Sequence, residues 1–170
     1  IPPIRRRHAE RCGPRPMSLD PRIADLVRRG TARALVNDVA IRCAQEAIPV
    51  MPLKGALLAE TAYPVDMVRS FTDVDLLVPE RDFERAVRLL ERASYRVSER
   101  AMPGEASCCL VPPKVGVTID LHRRLFRRRL FDLPTWELFA RGTRNGSVYG
   151  AEVVLPDPRD QIAHAIGHYV

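Results

Sequence analysis

The stretch Arg69-Ser70-Phe71-Thr72-Asp73-Val74-Asp75-Leu76-Leu77-Val78-Pro79-Glu80 sets two aspartates at the mouth of an apolar run. Side chains alternate along a strand, so Asp73 and Asp75 share one face, with Cα atoms roughly 6.5–7 Å apart, and Val74 and Leu76 share the other. Two carboxylates that close repel, and one would hold a proton near neutrality unless a cation lay between them. The pattern predicts a strand over 73–78 with one face in the core and the other turned toward something positive.

A second acidic strand lies downstream. In "TIDLH" (118–122) Asp120 stands between Ile119 and Leu121, again an acid facing opposite to apolar neighbours. If the two strands are adjacent, Asp73, Asp75 and Asp120 converge. Three such carboxylates suit hard cations, which take oxygen ligands at about 2.0–2.1 Å in the case of Mg²⁺ and leave room for substrate phosphates. Two cations about 3.5–4 Å apart can stabilise the attacking and leaving oxygens of an in-line phosphoryl or nucleotidyl transfer.

Upstream, "MPLKGALLAE" (51–60) puts Lys54-Gly55 at a strand-to-helix turn. A glycine there lets backbone N–H groups approach a phosphate, and a helix N-terminus favours the anion. Arg69 and Ser70 add a cation and a hydroxyl at the same edge. Plainer readings stand beside these: a solvated pair of turn aspartates, a surface lysine at a turn, and an Arg69 that pairs with Asp66 or Asp73.

Working outward, Ser18 precedes Asp20-Pro21, a helix start, and Ile23, Leu26, Val27, Ala34, Leu35, Val39 and Ile41 continue an approximately helical apolar pattern to about residue 47. Residues 48–55 read as a short strand and 56–63 as a helix. Residues 80–93 are the clearest helix, with Phe83, Ala86, Val87 and Leu90 at i, i+3, i+4 and i+7. Segments 95–100, 107–112 and 115–122 read as strands. Residues 133–142 form a short helix, 147–156 a hairpin around Gly150, and 157–170 open with helix-start chemistry. The order of elements predicts an α/β (α+β) fold, a mixed sheet with helices on one face and the two acidic strands side by side.

The chain has 170 residues, 46% of them hydrophobic and 28% charged, which fits one globular domain with its own core. Prolines 2, 3, 14 and 16 and the run Arg5-Arg6-Arg7 make residues 1–17 a disordered leader ahead of a domain over 18–170. No apolar run approaches the ~20 residues of a membrane span, so no membrane partner is expected. Cys12, Cys43, Cys108 and Cys109 lack CxxC spacing, which disfavours a zinc ribbon or disulfide framework and makes a reducing cytoplasm the default location. Cys108 and Cys109 read as small buried hydrophobes.

The net charge of +6 allows polyanionic partners, phosphate-bearing small molecules as readily as nucleic acid. The run "HRRLFRRRLF" (122–131) interleaves arginine with Leu125, Phe126, Leu130 and Phe131, either a nucleic-acid patch or an amphipathic connector with solvated arginines. Of 27 basic residues only Lys54 and Lys114 are lysine, which singles out Lys54. His164 and His168 have the i, i+4 spacing of a helical metal pair but lack the glutamate of HExxH, so a polar helix face near the cleft is the better account. His122, on the face of Asp120, could touch metal or substrate, or serve as a hydrogen-bonded structural histidine.

Taken together, Leu53-Lys54-Gly55, Arg69-Ser70, Asp73-Val74-Asp75-Leu76-Leu77-Val78 and Ile119-Asp120-Leu121-His122 resemble the nucleotidyltransferase superfamily, the DNA polymerase β-like fold. Within it, the chain is similar over about 45–170 to bacterial nucleotidyltransferase-like proteins with an LKG motif. The resemblance implies Asp73 and Asp75 as ligands of Mg²⁺ or Mn²⁺, Asp120 as the third carboxylate, and transfer of a nucleoside monophosphate from an NTP. The acceptor would be a hydroxyl of a small molecule, protein or peptide, and Lys54, Gly55, Arg69 and Ser70 would hold the triphosphate. Where the superfamily usually carries Gly-Ser or Gly-Gly, this chain has Lys54-Gly55. Such proteins usually continue into a helical C-terminal region, so the resemblance implies that this part is incomplete here. The alternative is a module of the same fold that binds nucleotide or a partner without turnover.

Overall fold

Asp20 caps the first helix: its carboxylate accepts from the Arg22 N–H at 2.7 Å, and Pro21, whose missing N–H costs nothing at a helix start, follows at the first helical position. The computed structural model describes residues 20–64, 67, 69, 71–99, 106–114, 117–126, 133–146 and 148–167. The expected leader 1–17, Ser70, Asp66, Arg127, Arg128, Arg129 and His168 lie outside the described residues.

The elements run α1 (Pro21–Gln45), β1 (Met51–Pro52), α2 (Lys54–Thr61), β2 (Asp73–Leu77), a 3₁₀ turn (Glu80–Asp82), α3 (Phe83–Arg92), β3 (Arg96–Glu99), β4 (Ser107–Val111), β5 (Thr118–His122), α4 (Thr135–Arg141), β6 (Thr143–Asn145), β7 (Val153–Leu155) and α5 (Pro158–Gly167). Five strands form a mixed sheet in the order β1-β2-β5-β4-β3, and β6 and β7 form a separate ribbon. Strands β2 and β5 pair in parallel with Asp75 opposite Asp120, and the other pairs in the sheet are antiparallel. Pro52, which cannot donate to a ladder, lies on edge strand β1.

Alternation along the strands divides the sheet. Val74, Leu76, Ile119, Leu121, Cys108 and Leu110 face the main core, where Val36, Val39, Ala59, Phe83, Ala86 and Leu90 from α1, α2 and α3 meet them. The α/β fold class read from the sequence is thus observed, as is the apolar stripe of α3, but the helices are not confined to one face, because α4 packs on the other. On the opposite face Leu77 joins Met51, Leu53, Leu125, Leu138 and Val154 in a smaller cluster. That cluster is held by α4 and by the ribbon, whose Val154 N–H donates to Val50 O at 2.8 Å. The acidic residues lie on this second face.

Three further expectations are corrected. Helix α1 turns the other way over its first half: Ile23, Leu26 and Val27 are exposed and Asp25, Arg29 and Ala32 are buried, while further on Leu35 and Val39 are buried as expected and Ala34 and Ile41 are exposed. The reason is polar. Arg29 donates to Asp25 at 2.9 Å, to Ala59 O at 3.0 Å and to Met67 O, tying α1 to the end of α2 and to the segment beyond it. The strand read over 48–55 is only Met51–Pro52, because α2 begins at Lys54, two residues earlier than expected. In the hairpin the first strand is Thr143–Asn145, upstream of the segment read as strand, while Gly150, at φ +81, supplies the left-handed turn.

Candidate active site

The site grows from the parallel pairing of β2 and β5. Asp75 and Asp120 are register partners, and His122, two residues on, shares their face. Their donor atoms converge: one ligand atom from each of Asp75, Asp120 and His122 lies within 4.8 Å of the others. His122 Nε2 is 2.9 Å from Asp75 Oδ1 and 3.9 Å from Asp120 Oδ2. Asp73, one pleat toward the strand start and opposite Thr118, is half-buried and outside that trio. Its hydroxyl neighbour Thr72 donates to it at 3.3 Å.

Lys54 supplies the positive charge that the acidic strand called for. Its Nζ donates to Asp75 Oδ1 at 2.7 Å, and only 25% of its side chain is exposed, so it is no surface turn lysine. Two local features aim it. The Leu53 N–H donates to Asp75 O at 2.9 Å, fixing the end of β1 against β2. Lys54 itself takes φ +46, a left-handed conformation that costs a non-glycine residue about 1 kcal/mol or more and persists only where the surroundings enforce it. Gly55 follows, buried, in the first turn of α2. A Cβ there would stand 2.7 Å from Phe71 Cβ, so the helix start packs directly on the chain entering β2.

The electrostatics separate the two central carboxylates. Burial pushes both up. At Asp75 the hydrogen bonds from His122 and Lys54, with the Lys54 charge, outweigh burial and hold the carboxyl below its usual range. At Asp120 burial wins over the His122 charge, with the charges of Asp75 and Asp73 adding to it, and the carboxyl lies above its usual range. The two neighbouring carboxyls are thus pushed in opposite directions.

A cavity of about 560 Å³ opens beside the pair. Lys54, Gly55, Arg69, Asp73 and Asp75 line one side, and Leu57, Leu138, Pro156, Ile162 and His164 line much of the rest. Asp120 and His122 flank Asp75 outside that lining. Arg69 stacks its guanidinium 5.4 Å from the centre of the Tyr63 ring and pairs with no carboxylate among the described residues. Its Nε is buried without a hydrogen-bond partner.

The structure thus brings Lys54, Gly55, Arg69, Asp73, Asp75 and Asp120 to one edge. His122, weighed on sequence mainly as structural, belongs to the centre, and His164 stands at the cleft as its helix face implied. Asp160, buried and bonded to Arg141 at 2.9 and 3.2 Å, lines the cavity without having been singled out by the sequence. Of the basic run, Arg123 lies 5.1 Å from the centre of the Phe83 ring and Arg124 bonds Glu80 at 2.6 Å, so these two serve structural contacts. Cys43 and Cys108 are buried free thiols, and Cys109 is half-buried. No described helix is long and apolar enough to cross a membrane.

The chain is similar in fold to the solution structure of the antibiotic-resistance factor ANT(2'')-Ia. The TM-score is 0.55 at 13% identity, over 79% of this chain and 69% of that one. No curated protein matches the chain. A family model described as "Uncharacterised nucleotidyltransferase" matches residues 21–170, and the chain belongs to that nucleotidyltransferase family.

Proposed function

We propose that the protein transfers a nucleoside monophosphate from an NTP to a hydroxyl of a small molecule, protein or peptide, with Mg²⁺ or Mn²⁺ held at Asp73, Asp75 and Asp120. The observation that carries this reading is the β2–β5 register, which sets Asp120 beside Asp75, itself in the wall of a cavity that Lys54 and Arg69 also line. The donor set fits a divalent cation: two clustered carboxylates with a third on the same face, partly balanced by one ammonium. The Arg69 guanidinium, on a residue that lines the cavity, fits a phosphate.

When bound, a divalent cation neutralises phosphate charge and polarises the reacting phosphoryl group. The chain's own residues do the rest. Lys54 and Arg69 bind the triphosphate, with the backbone at Gly55 and the start of α2, where no side chain caps the helix, offering N–H groups to it. Ser70 would add a hydroxyl. Asp120, opposite Asp75 in the parallel register, is suited to take the proton of the attacking hydroxyl. The apolar wall of Leu57, Leu138, Pro156 and Ile162 holds the acceptor and keeps water from competing.

The non-catalytic alternative draws on the Lys54–Asp75 contact, in which an internal cation satisfies the carboxylate. Calorimetry with ATP, GTP, CTP and UTP, with and without Mg²⁺ or Mn²⁺, separates the readings when joined to pyrophosphate release in the presence of hydroxyl acceptors. Cation-dependent NTP binding that disappears in Asp75→Asn, together with pyrophosphate release, is the expected result. Binding without release under every acceptor supports the binding module, and NTP binding unaffected by Asp75→Asn removes the assignment.

A further inference from the structure

We propose that His122 supplies an imidazole nitrogen to the cation held by Asp75 and Asp120, and that this mixed set selects a first-row transition dication, such as Mn²⁺ or Co²⁺, over Mg²⁺. The inference rests on the metal-dependent reading above and goes beyond it in naming the donor and the class of ion. A site built of carboxylates alone favours hard cations. This one has a nitrogen at its centre.

The geometry is that of neighbouring ligands on one ion. Donors about 2.1 Å from a cation and at right angles to each other stand about 3.0 Å apart. His122 Nε2 and Asp75 Oδ1 are 2.9 Å apart, and the same Nε2 is 3.9 Å from Asp120 Oδ2. A histidine kept only for a hydrogen bond needs one partner. Here a single ring nitrogen is turned toward both carboxylates, from a side chain only 10% exposed. Its position is set by backbone register rather than side-chain freedom, since His122 lies opposite Leu77 in β2 and Ser107 in β4.

The chemistry of the exchange is simple. With no metal, Nε2–H donates to Asp75, as Lys54 Nζ does. When an ion binds, the neutral ring carries its proton on Nδ1, Nε2 offers its lone pair, and the Lys54 ammonium is released from Asp75 toward the cavity it lines. Mg²⁺ gains little from such a nitrogen, because it demands oxygen ligands and loses water reluctantly. Transition ions gain more, in the order Mn²⁺ below Co²⁺.

The test uses the full chain with Mn²⁺, Co²⁺ and Mg²⁺ as probes. Titration calorimetry should give affinities in the order Co²⁺, Mn²⁺, Mg²⁺, with Mn²⁺ at least tenfold tighter than Mg²⁺. Pulsed electron paramagnetic resonance of bound Mn²⁺ should show hyperfine coupling to one directly bound ¹⁴N. His122→Gln places an amide near the position of Nε2; it should keep the fold and Mg²⁺ binding while losing both the coupling and most of the Mn²⁺ preference. Bound Mn²⁺ with no ¹⁴N coupling in the unaltered protein overturns the inference whatever the variant does, and leaves the nucleotidyltransferase reading standing. Absence of binding by all three ions, with and without a non-hydrolysable ATP analogue, overturns both.

Discussion

Lys54 Nζ and Asp75 Oδ1 are 2.7 Å apart, across 21 residues of sequence, and each explains the other's odd position. Asp75 is buried on a strand, and an ion there without a partner would be expelled or neutralised. Lys54 adopts φ +46 at a helix start, a strain repaid by delivering an ammonium to that carboxylate. The contact makes the acidic strand compatible with folding before any metal or nucleotide arrives.

Lys54→Met therefore has two expected effects. NTP affinity falls at least tenfold, about 1.4 kcal/mol, because the ammonium that balances the phosphates is gone. Stability without ligand also falls, by about 1–3 kcal/mol, since buried Asp75 loses a charged donor. A divalent cation should restore part of that stability by taking over the lysine's place. Thermal melts with and without Mn²⁺ check this, and an unchanged metal-free melting temperature would show that the pair holds nothing together.

Gly55→Ala tests the close packing behind the lysine. The added Cβ would stand 2.7 Å from Phe71 Cβ and 3.4 Å from its Cγ, atoms at the root of a side chain that cannot swing clear. Overpacking of this kind costs about 1–3 kcal/mol. Urea unfolding should show that loss in Gly55→Ala and a smaller loss when the change is made in Phe71→Gly, where the clashing Cβ is absent. Equal losses in both backgrounds would mean that the obstacle is elsewhere.

The sequence made the acidic face legible because strand alternation is local: Asp73, Asp75 and Asp120 each announce themselves against apolar neighbours. The stripe of α3 was legible for the same reason. The face of α1 was not, because its burial is decided by Arg29 reaching Ala59 O, 30 residues away, and a buried arginine looks like a solvated one in a periodicity reading. His122 suffered similarly, since its partner Asp75 is 47 residues distant. Strand β6 had no β-branched alternation to read: Thr143-Arg144-Asn145 is a strand only because Val153, Val154 and Leu155 lie beside it.

The alkaline limit of stability follows from groups away from the site. Burial pushes the Cys43 thiol up to about 12 from its ordinary 9.0. Burial, then the charge of Asp120 and lesser neighbours, pushes Cys108 up to about 12 from the same starting value. Tyr95 is raised by burial and then by Asp38, to which its hydroxyl donates at 2.8 Å. All three are acids that keep their protons when folded and lose them sooner when unfolded. Unfolding then releases protons, so their contribution is fully present below about pH 9 and is lost as pH rises toward 12. Urea midpoints should be level from pH 7 to about 8.5 and fall above 9, with each such group adding up to about 1.4 kcal/mol per pH unit to the slope. Cys43→Ala should be less stable at pH 7, having lost buried volume, yet fall less steeply above pH 9 because one titrating thiol is gone. A variant whose midpoint falls in parallel with the unaltered protein would show that the Cys43 thiol takes no part in the alkaline transition.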